Sequence, residues 1–375
     1  MRILNFALQG GGSHGAFTWG VLDALLEDGR VAFEGLSGTS AGAVNAVALA
    51  SGWATAEAAQ RDPREGAREK LAAVWNSVAA LGSVGTLQQQ FLRVLWSGWP
   101  SSIQPAHAMG AGWRGLVSPY QSNPLGLNPL RDLLAQAIDF ELLGAQRTLK
   151  VFVSATQVRT GKAVVFGGRR LDLPAVLAST CLPALFHAVE IDGEAYWDGG
   201  YSVNPPLQPL VRECSSADIV LVQLNPLDIA EVPRTASAIQ DRVNELTFNA
   251  SLLTQMRAIA FVNRLVAAGA VTDPRCRSVR LHRIDGGEAL AAFPASSRVS
   301  ADAAMIRRLF EGGRLAGRAW LDRHYEAIGR QGTVDIEGDY LDDTWMDIPA
   351  AMPRGLRSVG GGFRSWVARV LRGQR

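Results

Sequence analysis

The chain is poor in several features that mark whole classes of protein. It has 3 cysteines in 375 residues. Cys181, Cys214 and Cys276 lie far apart without a CxxC pair, which excludes a readable disulfide framework or zinc knuckle and points to a reducing compartment. Neither sign of charge dominates, because 37 basic and 35 acidic residues leave a formal +2. No basic run interleaved with aromatics offers a nucleic-acid groove. No stretch approaches the ~20 consecutive apolar residues of a membrane-spanning helix. The opening residues 1–6 have too short an apolar core for a secretory signal and no small-residue cleavage site. His107 and His187 have no ligand partners at metal-binding spacing. These absences predict a cytoplasmic protein with no metal, no cofactor and no nucleic-acid partner.

What the chain does have is a 47% hydrophobic composition, enough for one large core. Residues 3–8 are a short apolar run ending at Gly10-Gly11-Gly12, which reads as a buried strand feeding a glycine turn. Phe17, Val21, Leu22, Leu25 and Leu26 then fall on one helical face, closed by Gly29. A second strand from Val31 to Leu36 runs into Gly38-Thr39-Ser40-Ala41-Gly42, and an alanine-rich helix follows from Ala41 to about Ala50. A strand–turn–helix unit used twice predicts an α/β fold with helices layered on both faces of a mainly parallel sheet. Further strands are expected at 149–157, 164–166, 219–224 and 279–284, with a hairpin at 188–197 turning on Asp192-Gly193. Asn128-Pro129 reads as a helix start, and helices are expected near 235–268 and 301–327. Residues 82–128, with Trp96, Trp99 and Trp113, read as an irregular insertion. The expected division is one domain over 1–345 and a tail over 346–375.

Three motifs carry chemistry. The first, Gly38–Gly42, fits GxSxG, a sharp strand-to-helix turn that exposes a serine hydroxyl while the next helix points its N–H groups and positive dipole end at it. The second, Gly10-Gly11-Gly12-Ser13-His14-Gly15, is a glycine loop that can bring backbone donors to a developing oxyanion without an intruding side chain. It also satisfies GxGxxG after a strand, and Glu34, nineteen positions beyond Gly15, suits a ribose-binding acid, so a dinucleotide site stays open on spacing. The third, Asp198-Gly199-Gly200, puts a carboxylate at the end of a strand with glycines clearing the space around it; alone, such a pair is ordinarily only a turn.

The order GGGSHG, GTSAG and DGG, with Leu177–Phe186 just before the third motif, resembles the patatin-like phospholipase family over about residues 4–225. The resemblance implies a lipid acyl hydrolase with a Ser–Asp dyad. Ser40 would be the nucleophile, Asp198 the base, and Gly10, Gly11 and Gly12 the oxyanion region, with Gly15, Gly38, Gly42, Gly199 and Gly200 supporting the turns. The family commonly has Arg or Lys where this chain has His14, which is only partly charged near neutral pH. That departure bears on headgroup recognition more than on acyl hydrolysis. A non-catalytic lipid-binding protein of the same fold is the alternative of a different class.

His282 and His324 follow Asp198 in the order an ordinary α/β-hydrolase triad would use, but each also reads as a packing or surface residue. In the tail, Phe363, Trp366, Val367, Val370 and Leu371 share a helical face among Arg364, Arg369 and Arg372, and no acid follows Asp347. That is the composition of a helix lying on an anionic membrane surface, so a peripheral contact is expected there.

Overall fold

The computed structural model describes residues 1–83, 118–229, 231–271, 273, 276–293, 297–298 and 301–341. Trp96, Trp99, Trp113, His107 and the amphipathic tail lie outside these residues.

The centre is an eight-stranded sheet in the order β5-β6-β3-β2-β1-β7-β8, with β4 also paired to β3. The strands are β1 (Arg2–Leu8), β2 (Val31–Gly38), β3 (Lys150–Gln157), β4 (Ala163–Gly167), β5 (Val189–Ile191), β6 (Glu194–Asp198), β7 (Asp218–Gln223) and β8 (Arg280–Asp285). Strands β3, β2, β1, β7 and β8 run parallel, while β4 and β6 pair antiparallel with β3. The continuous apolar runs of β1 and β7 follow from burial on both faces. Asp192 and Gly193 take positive φ at the tip of the β5–β6 hairpin, the conformation a tight primed turn requires.

The principal helices are α1 (Gly15–Asp28), α2 (Ala41–Ala58), α3 (Pro63–Ser83), α4 (Pro129–Ala137), α5 (Leu173–Ser179), α6 (Gln208–Glu213), α7 (Ala236–Ala267) and α8 (Ala303–His324). Their ends are set by identifiable caps. Asn128, Asp172, Thr235 and Asp302 each accept a first-turn N–H with the side chain, each cap stabilising its helix by about 1 kcal/mol. Gly29 closes α1 in the left-handed conformation, its N–H donating to the Leu25 carbonyl.

One face of the sheet presents Leu4, Phe6, Leu8, Leu36, Val151, Val220 and Val222 to a core shared with Phe17, Leu22, Val47 and Leu309 of the helices. The opposite face presents Asn5 and Gly35, and there a methyl group on Gly35 would meet Leu210 of α6 at 2.9 Å. Helices thus cover both faces, the three-layer arrangement expected from the repeated strand–turn–helix pattern. Two elements extend beyond the sequence reading. α2 continues to Ala58, and α3 was not anticipated, its alternating charged and apolar residues hiding a core face of Ala67, Leu71, Val74, Trp75 and Val78.

Candidate active site

The site forms where β2 and β6 share one edge of β3. Gly38, at the end of β2, lies opposite Val153, and Asp198, at the end of β6, lies opposite Ala155. The other edge of β3 is taken by β4, with Val153 opposite Phe166 and Ala155 opposite Val164. β2 therefore gives up its pairing just before the serine turn, and β6 enters antiparallel two residues further on. That exchange brings Ser40 and Asp198 together although 158 positions separate them in sequence.

Ser40 sits at φ 55, ψ −122 as the N-cap of α2. A non-glycine residue in that region is strained by about 1–3 kcal/mol and persists only where its surroundings enforce it. Here the backbone N–H of Ser40 donates to Ser179 Oγ at 2.9 Å, and the N–H of Gly42 to the Thr39 carbonyl at 2.8 Å. The Thr39 hydroxyl is within 2.6 Å of Ser154 Oγ and donates to the Val203 carbonyl at 3.0 Å. Close approach explains the flanking glycines. A side chain on Gly38 would strike the Gly42 carbonyl, and one on Gly42 the carbonyls of Leu8 and Gln9.

Asp198 is fully buried. Its backbone is held on both sides, its N–H donating to the Cys181 carbonyl at 2.7 Å and its carbonyl accepting from Thr156 Oγ1 at 2.8 Å. Oδ1 accepts the Gly200 N–H at 2.8 Å. Oδ2 has no partner of full hydrogen-bond geometry among the described residues, yet the Ser40 hydroxyl stands near enough to favour the ionised carboxylate. Burial outweighs both contacts and pushes the carboxyl up to about 7, because a low-dielectric setting penalises the charged form. Gly199 packs on Ser154, and Gly200 faces the Phe248 ring too closely for any side chain.

The glycine loop lies directly against the serine. A methyl group on Gly10 would come within 2.9 Å of Ser40 Cβ and 2.8 Å of the Thr39 carbonyl. Gly12 has φ +57, and its space is closed by the Arg298 carbonyl. The three N–H groups differ. That of Gly10 donates to Asn204 Oδ1 at 2.7 Å, whereas those of Gly11 and Gly12 have no partner among the described residues. Gly15 packs on Ala41 and Trp75, joining the loop to α2 and α3.

A buried amide network that sequence reading missed braces this loop. Gln9 Oε1 accepts the N–H groups of Leu224 and Asn225 at 2.8 and 2.9 Å, and Asn225 Nδ2 donates to the Gly10 carbonyl at 3.0 Å. Gln9 Nε2 donates to Asn249 Oδ1 of α7 at 3.0 Å. The available signal was a polar residue inside an otherwise apolar strand end, Gln9 after Leu8 and Asn225 after Leu224. Asn204, six positions past Asp198, gave none.

His14 is buried, with Nε2 2.8 Å from Ser297 Oγ. Burial, aided by the nearby Arg298 guanidinium, pushes its pKa down to about 3, so the ring is neutral. Behind the loop, His14, Leu224, Asn225, Phe293 and Arg298 border a cavity of about 600 Å³ that neither Ser40 nor Asp198 lines.

The remaining sequence candidates are engaged elsewhere. His282 bonds Asp218 Oδ1 and Thr333 Oγ1, both at 3.1 Å, and packs edge-on to Trp320. His324 lies beside the same tryptophan. His187 stacks on Tyr120 with ring centres 4.1 Å apart. The Glu34 carboxylate accepts the N–H groups of Ser215 and Ser216 and pairs with Lys150, so it is not presented to a ribose. Among the described residues no helix is long and apolar enough to cross a membrane.

No curated protein sequence matches the chain. Among solved structures it is similar to VipD from Legionella pneumophila, at 15% identity over 86% of this chain and 67% of that one, with a TM-score of 0.39. The patatin-like phospholipase family matches residues 6–211, more than half of the chain. The match spans the glycine loop, the serine turn and the Asp198 hairpin, and the chain is a member of the patatin-like phospholipase family, a family of lipid acyl hydrolases.

Proposed function

We propose that this protein hydrolyses carboxylic esters of lipids through a Ser40 acyl-enzyme, with Asp198 as the base. The observation that carries this reading is the strained Ser40 set beside a fully buried carboxyl whose pKa burial brings to about 7. A base of that strength suits proton transfer at neutral pH. As Ser40 Oγ attacks the ester carbonyl, its proton passes to Asp198, and the C–O bond to the alcohol breaks as Asp198 returns that proton to the leaving oxygen. Water then attacks the acyl-enzyme and gives a proton to Asp198, and the C–O bond to Ser40 breaks as Asp198 passes that proton to Ser40 Oγ, releasing the carboxylic acid and restoring the free serine.

The tetrahedral oxyanion would be met by the N–H groups of Gly11 and Gly12, which have no partner among the described residues, and by the N-terminal end of α2. Gly10 serves differently from its neighbours, because Asn204 already holds its N–H. The loss of one oxyanion donor costs about 100- to 1,000-fold in kcat in a comparable site, so donor number bears directly on rate.

The experiment is labelling by a fluorophosphonate probe together with hydrolysis of a lipid ester panel, comparing the natural chain with Ser40→Ala and Asp198→Asn. Labelling confined to Ser40 and loss of turnover in both variants is the expected result. A chain that binds lipid but never reacts with the probe belongs instead to the non-catalytic alternative.

A further inference from the structure

An oxyanion donor must keep its N–H unengaged, so no hydrogen bond of its own can fix it in place. A glycine also has no side chain to pack. The N–H groups of Gly11 and Gly12, without partners among the described residues, must therefore be held through whatever touches those two residues. Gly11 lies against Leu224, whose Cδ1 a methyl group there would meet at 3.0 Å. Gly12 lies against Arg298, whose carbonyl blocks any side chain and whose Cβ would stand 3.4 Å from one. Ser297, the preceding residue, has Oγ 2.8 Å from His14 Nε2. Residues 297 and 298 thus bear on the second half of the glycine loop, as Asn204 and Asn225 bear on Gly10.

Arg298 is held by an ion pair. It borders the cavity of about 600 Å³ together with His14 and Glu245, so open space backs it on that side. Its Nη2 donates to Glu245 Oε1 of α7 at 3.2 Å, with 14% and 11% of the two side chains exposed. Nε has no partner among the described residues, which leaves Glu245 as the tether of this side chain. Glu245 Oε2 accepts from Arg242 Nη1 at 3.2 Å, and Arg242 Nη2 donates to the Leu227 carbonyl at 2.7 Å. Leu227 follows closely on Asn225, whose Nδ2 donates to the Gly10 carbonyl at 3.0 Å. The contacts close a ring. It runs from Gly10 to Asn225, along the chain to Leu227, through Arg242 and Glu245 to Arg298, and back to Gly12. We infer that Arg298 is a positioning residue for the glycine loop: its pair with Glu245 keeps the Arg298 backbone against Gly12 and so sets the Gly11 and Gly12 N–H groups for the oxyanion.

The inference rests on the acyl-hydrolase reading for what the loop does, but the brace itself is measurable without turnover. The full natural chain is compared with Arg298→Met, Arg298→Lys and Glu245→Gln. Arg298→Met leaves Glu245 paired with Arg242, so no buried carboxylate is stranded. Each protein is measured for kcat and KM on a water-soluble short-chain ester, and for deuterium exchange in peptides spanning residues 9–15. Arg298→Met is expected to lower kcat on the order of 100-fold, the scale of a small misplacement at a reacting centre. KM should change little, and exchange in the loop should quicken. Glu245→Gln should move both readouts the same way. Arg298→Lys, which keeps a cation facing Glu245, should restore most of the lost kcat. A loss confined to KM, no recovery in Arg298→Lys, or natural kcat and loop exchange in Arg298→Met would each overturn the inference. If Arg298→Met does not fold, Glu245→Gln with natural kcat and loop exchange overturns it alone. If loop exchange quickens in the variants while the natural chain turns over no ester and takes up no fluorophosphonate, the brace stands and the catalytic reading falls.

Discussion

Asn204 Oδ1 accepts the backbone N–H of Gly10 at 2.7 Å, fixing the first residue of the glycine loop from a point six residues beyond Asp198. Both partners are buried. Asn204→Ala would leave the N–H without a partner at a cost of about 1–3 kcal/mol, and would let the loop drift from Ser40. The expected outcome is a lower melting temperature together with a fall in kcat larger than the change in KM. An unchanged kcat would show that the loop is held well enough without this bond.

Asp198 must be ionised to take a proton, so ester turnover should rise as pH passes through about 7. Stability should follow the opposite course. Because burial raises the folded-state value from 3.8 to about 7, the folded protein retains a proton that the unfolded chain has already released between these values. The contribution of this group is complete below the lower value and is lost as pH climbs through the upper one. Asp198→Asn should therefore be inactive, and its melting temperature should exceed that of the natural chain above pH 7, with the gap closing toward pH 4. A gap independent of pH would count against a buried, neutral-to-ionised Asp198.

Ser40 holds positive φ without being glycine. Ser40→Gly should relieve strain and stabilise the protein by about 1 kcal/mol while abolishing turnover. Thermal unfolding and single-turnover kinetics on the same preparation would test both halves. A destabilised Gly variant would mean that the Ser40 side chain contributes more packing than the backbone strain costs.

His14 has the reverse linkage to Asp198. Its folded-state value is lowered from 6.5 to about 3, chiefly by burial, so its contribution to stability is present above the higher value and is lost as pH falls toward the lower one. The natural chain should lose stability across that acid window, and His14→Gln should show a flatter profile there. Melting temperatures measured from pH 3 to 8 would decide it. The same argument predicts that His14 adds no limb near pH 6.5 to the activity profile.

Much of the framework was legible because each local signal had one physical solution. Gly29 could end α1 only as a left-handed cap, Asp192-Gly193 could turn the hairpin only with positive φ, and Thr235 supplied an N-cap to the helix read beside it. The nearness of Ser40 to Asp198 came from motif order, which says which residues meet but not how. The meeting depends on β2 and β6 succeeding each other along β3, a non-local pairing with no trace in either segment. Asn204 and Ser179 escaped for the same reason. Each is an unremarkable polar residue until the fold sets it against a backbone group from a distant segment. α3 was missed for a different cause, since its charged outer face diluted the apolar periodicity of its inner one.

β3 acts as a ruler for Ser40 and Asp198. Because Gly38 and Asp198 are both counted off its backbone, at Val153 and Ala155, the separation of serine and carboxylate is indifferent to how much chain lies between them. Insertions at the Asp192-Gly193 tip can lengthen the protein without altering that separation. A single-residue deletion inside β6 has no such freedom, since strand side chains alternate between faces. It would turn the carboxylate to the other side of the sheet and leave a folded protein in which Ser40 no longer faces Asp198.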